Sequence, residues 1–144
     1  MSYDLFMSQL FLSKPLRDRL ELLTSIGYPN ETCGVLLGKQ VHGHVSVHRI
    51  EEAPYPNLDQ AEGGFNLNPL DLHNATRNAQ RHGLEVVGIW RALPDKCVTR
   101  TPDENLPAWS GYSYLLVSIT PTGITTLRSW RLTSNRLTEE DLML

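Results

Sequence analysis

The side chains of this chain that could hold a metal, move a proton or attack a substrate gather mainly behind one apolar run, Leu84-Glu-Val-Val-Gly-Ile-Trp90. Functional loops sit where a central strand ends. After this run come Arg91, Asp95, Cys97, Asp103 and Glu104 in quick succession, while Glu31 stands just ahead of a second apolar run, Cys33-Gly-Val-Leu-Leu-Gly38. Cys97 with two carboxylates makes an improvised metal site, although a cysteine in such a loop is more often a small loop residue. Glu31 is a carboxylate that can take a proton from water or, more plainly, cap backbone amides at a strand start.

Other arrangements are weaker. His42-Gly43-His44 is the one His-x-His in the chain, but it falls at a hairpin tip. Seven strand residues at ~3.3 Å each put it roughly 23 Å from Glu31, too far to share a metal. His48 reads as a strand-face residue, and His73 and His82 as solvent-side helix residues. Cys33 lies in an apolar strand and reads as core, so no Cys-His or Ser-His-Asp set is anchored by a motif. Gly38 and Gly63-Gly64 lack the strand–loop–helix setting and the Lys-Ser/Thr of a phosphate loop. Glu139-Glu140-Asp141 reads as a solvated acidic tail.

The elements that must position these residues follow from local signals. A first helix is predicted over 13–27, with Ser13 as cap, Pro15 in the first turn and Leu16, Leu20 and Leu23 on one face. Gly27 stops it before Tyr28-Pro29. Cys33–Gly38 is a buried strand, with His44–Ile50 as its hairpin partner, and 53–64 is a loop rich in Pro, Gly and acid. A second helix starts at the Asn68 cap with Pro69 and Asp71 in its first turn, carries Leu72, Ala75 and Ala79, and closes at Gly83. Leu84–Trp90 is a central strand. Residues 91–103 are expected as a loop and 104–109 as a short helix. Strands are predicted over 113–119 and 124–132 around a Pro-Thr-Gly turn, and 137–144 is a weak candidate for an edge strand.

The 144 residues suit one domain, 1–144. A net charge of −3 without a Lys/Arg run argues against a duplex nucleic-acid binder, and Arg77 with Arg81 is only a helical pair. Two cysteines make no secreted disulfide framework, the start has no signal-peptide pattern, and no apolar stretch reaches membrane-spanning length. A cytoplasmic protein without nucleic-acid or membrane partners is expected.

Pro29–Gly38, Gly83–Trp90 and Ala108-Trp-Ser-Gly-Tyr-Ser-Tyr-Leu115 together resemble, in order and spacing, the JAMM (MPN-type) metalloprotease family in its compact bacterial form. The resemblance implies an α/β fold: a single-domain mixed β-sheet flanked by helices, of JAMM/MPN (cytidine-deaminase-like) architecture. In that family the strand matching Leu84–Trp90 runs into His-Ser-His-Pro, followed by a serine and, three residues on, an aspartate. The histidines, at i and i+2 on extended backbone, share one zinc ion with the aspartate and a water. A glutamate acts as general base and the serine steadies the oxyanion.

Carried onto this chain, the resemblance makes Glu31 the general base, Thr101 the serine position and Glu104 the aspartate position. The histidine positions hold Arg91 and Leu93, and neither can bind zinc, since arginine stays protonated and leucine has no lone pair. No metal or cofactor is therefore expected here, zinc belonging to the active members. Arg91, Leu93 and Glu104 become a binding pocket, with Arg91 supplying the lost positive charge by pairing with Glu31, Glu104 or both. The plainer alternative is a surface arginine after a strand. The implied function is a noncatalytic binding or scaffold domain, a pseudoenzyme. Its partner would be a ubiquitin-like or sulfur-carrier protein, a related MPN-type subunit or a second copy in a homodimer. The alternatives are a zinc metallopeptidase or isopeptidase with a substituted or rebuilt site, and a structural subunit without a peptide ligand.

Overall fold

A computed structural model describes residues 8–53, 69–95, 111–133 and 136–143. Along the chain run β1 (Gln9–Phe11), α1 (Lys14–Gly27), β2 (Cys33–Val41), β3 (His44–Glu52), α2 (Pro69–Arg81), β4 (Glu85–Pro94), β5 (Ser113–Thr120), β6 (Gly123–Thr133) and β7 (Arg136–Met143). The strands lie in the order β1-β3-β2-β4-β5-β6-β7 and close into a barrel, because β1 pairs in parallel with both β3 and β7. β4 and β5 are also parallel, and the remaining neighbours are antiparallel.

This architecture corrects the expected one. The strands do not form a helix-flanked open sheet of JAMM/MPN type; they form a closed seven-stranded barrel that carries α1 and α2. The reason lies at the two ends of the chain. Gln9–Phe11 carries too few residues to show a strand period, and 136–143 is a barrel strand rather than an optional edge. Together they join what would be two open sheet edges, each a row of unsatisfied backbone groups.

The local predictions fare better. α1 begins one residue after Ser13 with Pro15 in its first turn, although the Ser13 side chain makes no cap bond. Leu20 is buried, and Leu16 and Leu23 pack beside it. β2 and β3 are joined by His42 and Gly43, both at positive φ (48° and 81°), the two-residue turn whose twist suits a hairpin. β4 outruns its expectation: residues 91–94 continue the strand, held by the parallel register Arg91↔Leu116 to Pro94↔Ile119. The expected Asn68 cap, most of the 53–64 loop and the short helix at 104–109 lie outside the described residues. No described helix is long and apolar enough to cross a membrane.

Two apolar layers follow from strand alternation. Leu10, Leu36, Val45, Val87, Trp90, Ala92, Leu115 and Val117 fill the barrel, and α1 packs against β3, β5 and β6 to add Leu20 to this layer. Cys33, Val35, Leu37, Ile89, Tyr114 and Leu116 form the second layer on the outer face, where α2 adds Ala75 and Ala79. Gly34 lets Trp90 cross close to β2. A Cβ there would lie 1.9 Å from the Glu51 carbonyl oxygen and 2.6 Å from Trp90 Nε1, which itself donates to that carbonyl at 3.1 Å.

A polar cluster sits among the strands where β5 begins. Arg131 and Glu140 are both buried, their nearest atoms 3.5 Å apart. Glu140 accepts from Ser8 Oγ and Ser129 Oγ, each at 2.5 Å. Arg131 donates to the Gly111 carbonyl at 2.5 Å, to Ser8 Oγ at 3.1 Å and to Ser113 Oγ at 3.1 Å. Glu140 is thus no part of a solvated tail, as the acidic run had suggested. Removing one partner of a buried pair strands the other charge. Arg131→Met should therefore cost about 3–5 kcal/mol in urea denaturation, and Arg131→Met with Glu140→Leu should recover most of that loss.

Candidate functional site

The residues singled out by the sequence meet where β2 begins, β3 ends and β4 passes between β2 and β5. Cys33 lies in register with Arg91, the Ala92 amide donates to the Thr32 carbonyl at 2.8 Å, and the Ala53 amide to the Cys33 carbonyl at 2.9 Å. Alternation along β4 puts Trp90 and Ala92 inside the barrel and Ile89, Arg91 and Leu93 on the outer face. Arg91 is therefore carried by a strand, not by a loop.

Arg91 Nη2 donates to Glu31 Oε1 at 2.9 Å. The arginine side chain is 6% exposed and the glutamate 30%. A dry guanidinium is thus matched to a carboxylate at the rim, a charge-assisted bond of the strong class. The pair makes chemical sense of both residues. The guanidinium cannot lose its proton, and Glu31 has one oxygen already committed to it. Of the other residues implied, Leu93 is half-buried and packs against the outer layer. Thr101 and Glu104 lie outside the described residues, as do Cys97 and Asp103.

The neighbourhood is more acidic than the sequence pattern had suggested. The Cys33 thiol is pushed from an ordinary 9.0 up to about 12, first by burial, while Arg91 pulls it down and Asp71, Glu52 and Glu31 push it up. Those three carboxylates therefore share the surroundings of Cys33 with Arg91. Beside them opens a cleft of about 230 Å³ between α2 and the β2–β3 pair. Val35, Ala53 and Ala75 line it together with Glu51, Glu52, Asp71, Asn74 and Asn78. Asn78 donates to Glu51, and Arg49 Nε lies 3.5 Å from the same Glu51 oxygen. Sequence reading missed this cleft because its walls come from a strand end and a helix with no shared motif. Asp71 was read only as a residue that suits a helix start.

Asp95, one of the donors considered for a rebuilt metal site, is engaged elsewhere. It sits at φ 55° just after β4 and accepts from the Tyr28 hydroxyl at 2.6 Å. That bond, ahead of desolvation and the Asp95 charge, raises the tyrosine pKa. His42 and His44 flank the β2–β3 turn, and the His44 ring stacks on Phe11 with centroids 5.9 Å apart. Among the described residues no group of three or more His, Cys, Asp or Glu side chains could hold a metal ion.

No family model matches this sequence, and no curated protein matches it. Its fold is similar to solved structures. A Salinibacter ruber (strain DSM 13855) protein, determined in solution, shares 26% identity at a TM-score of 0.69, with 95% of this chain and 90% of that one covered. A solution structure from Desulfitobacterium hafniense shares 23% identity at a TM-score of 0.73, covering 94% and 92%. Neither is described by an activity, ligand or partner. These neighbours correct the metalloprotease-type description implied by the three sequence stretches. What the chain shares with them is the fold, and they lend no support to a JAMM/MPN or metalloprotease description.

The buried thiol generates a prediction. Folded Cys33 keeps its proton up to about pH 12 and an unfolded thiol loses it near 9.0. The contribution to stability is therefore complete below pH 9 and declines as pH rises from 9 to 12. Urea denaturation across that range should show this alkaline loss, and Cys33→Ala should reduce it. At pH 8 a thiol reagent should leave Cys33 unmodified in the folded protein, as peptide mapping that separates it from Cys97 would reveal.

Proposed function

We propose that this protein is a noncatalytic, cytoplasmic binding domain that holds a segment of a partner protein beside the Arg91–Glu31 pair. The single observation that carries the reading is that pair. A permanently protonated side chain, nearly out of water, is bonded to the carboxylate that the sequence resemblance would make a general base. Such an arrangement fixes charge and shape instead of activating water. It neither offers a metal ligand from Arg91 nor leaves Glu31 unengaged.

The adjacent cleft supplies the place for a partner. Its small apolar residues Val35, Ala53 and Ala75 can take a side chain or a turn of extended backbone, while its carboxylates favour a basic group on the incoming segment. The partner class we infer is a ubiquitin-like or sulfur-carrier protein, or a related subunit, engaged through an exposed tail.

The test combines turnover with binding. Fusions of purified carrier proteins to short peptides should remain uncut by this protein, with or without added zinc. Titration calorimetry should detect a carrier at a dissociation constant on the order of 1–100 μM, the range of transient recognition. Glu52→Lys, an exposed change at the cleft, should weaken that binding about tenfold. Zinc-dependent cleavage would overturn the noncatalytic reading. Binding indifferent to Glu52→Lys would remove the cleft from it.

A further inference from the structure

We infer that the cleft between α2 and the β2–β3 pair is a lysine pocket. It takes one lysine side chain of the partner's segment, with the stem on its apolar wall and the ammonium among its carboxylates. The inference rests on the reading of this cleft as the partner's seat and adds which side chain enters it. Size is the first restriction. At about 230 Å³ the cleft falls below the ~300–1,000 Å³ of pockets that enclose a cofactor or drug-sized molecule. It suits one long side chain and not a nucleotide or a folded element. Val35, Ala53 and Ala75 form its apolar wall, and residues this small leave room for a stem of methylene groups to lie along them.

Charge then selects the head group. Glu51, Glu52 and Asp71 line the cleft, and among the described residues that line it none is a cation. Glu51 is already engaged by Asn78 and Arg49. Glu52 is exposed at the rim, with no hydrogen bond or ion pair among the described residues, and Asp71 is buried. Behind burial itself, Asp71 and Glu52 both push the Cys33 thiol up, so their negative charge is felt over the same stretch of β2. The acceptors reach the cleft from two sides, Glu52 from the end of β3 and Asp71 and Asn74 from successive turns of α2. An ammonium with three rotatable donors meets acceptors spread in this way. The planar fork of arginine needs two oxygens side by side.

Titrating the isotope-labelled protein with N-acetyl-lysine methylamide should shift the amide NMR signals of Ala53, Asn74 and Ala75. The dissociation constant should be on the order of 1 mM, as expected of so small a ligand. The norleucine analogue keeps the stem and lacks the ammonium, and should bind about tenfold more weakly. The arginine counterpart should bind about threefold more weakly than lysine. Glu52→Gln should weaken the lysine probe about threefold and Asp71→Asn about tenfold, with circular dichroism checking that each variant is folded. Equal binding of the norleucine analogue, tighter binding of the arginine one, or a lysine titration indifferent to Glu52→Gln would overturn the inference. A carrier protein that binds while the lysine probe leaves these signals in place would overturn it too, and the binding-domain reading would stand. Lysine binding at the cleft without any carrier bound would uphold the pocket and remove only the carrier.

Discussion

Barrel closure is the constraint on which the rest of the structure depends, and three residues carry it. Gln9, Leu10 and Phe11 pair in parallel with His44–Ser46 on one side and with Asp141–Met143 on the other. Without them β3 and β7 would be the free edges of a sheet, with backbone groups left to water or to another chain. A strand this short has little stability of its own. It is held by Leu10, which is fully buried in the barrel, and by Ser8, whose hydroxyl bonds Glu140 and the Gly43 carbonyl. Once closed, the barrel encloses a core to which α1 adds Leu20 on the far side of the short β1–α1 connection.

Closure also explains why two of the described arginines, Arg91 and Arg131, are dry and yet differ in character. Arg131 sits with a fully buried carboxylate, and the surrounding oxygens of Ser8, Ser113 and Gly111 satisfy its donors. A buried pair stabilises a fold only when its remaining hydrogen-bonding groups are met in this way. The Arg131 cluster ties β6 and β7 to the residue preceding β1 and so belongs to the closure itself. Arg91 instead points outward from β4 and meets a carboxylate that still reaches solvent. Its bond joins β4 to the segment leading into β2 at a surface where another molecule could arrive. The same chemistry serves as a latch in one place and as a feature of the rim in the other.

Much of the local structure was legible. The apolar period of α1, the Pro69–Asp71 start of α2, the continuous apolar runs of β2 and β4 and the turns of both hairpins are signals within a few residues of one another. What was not legible depends on pairing across the whole chain. Nothing in Gln9-Leu-Phe11 shows a period, and Glu139-Glu140-Asp141 has the composition of a solvated tail. Only the closed barrel turns Glu140 inward to Arg131 while Glu139 pairs outward with Arg128. Arg91-Ala-Leu-Pro94 likewise reads as the start of a loop until β5 is laid parallel beside it. At the site, the Glu31–Arg91 contact was expected only through the resemblance, which sets a positive side chain at Arg91 facing the glutamate at Glu31. The cleft could not be anticipated, because it is a product of how α2 lies on the sheet.

The same distinction accounts for a sequence likeness that pointed to a different architecture. Two of the three stretches that carry it contain the buried part of β2 and the first six residues of β4, which are neighbours in the barrel. Their residue pattern records what any pair of central strands needs: continuous apolar character, and glycine where Trp90 must cross close to the backbone at Gly34. Such a pattern is set by contacts inside the sheet and carries no information about its edges. Whether the sheet stays open or closes is decided at residues 8–11 and 136–143, outside every matching stretch. The local likeness and the closed barrel are therefore compatible, and the chain ends decide between the two architectures.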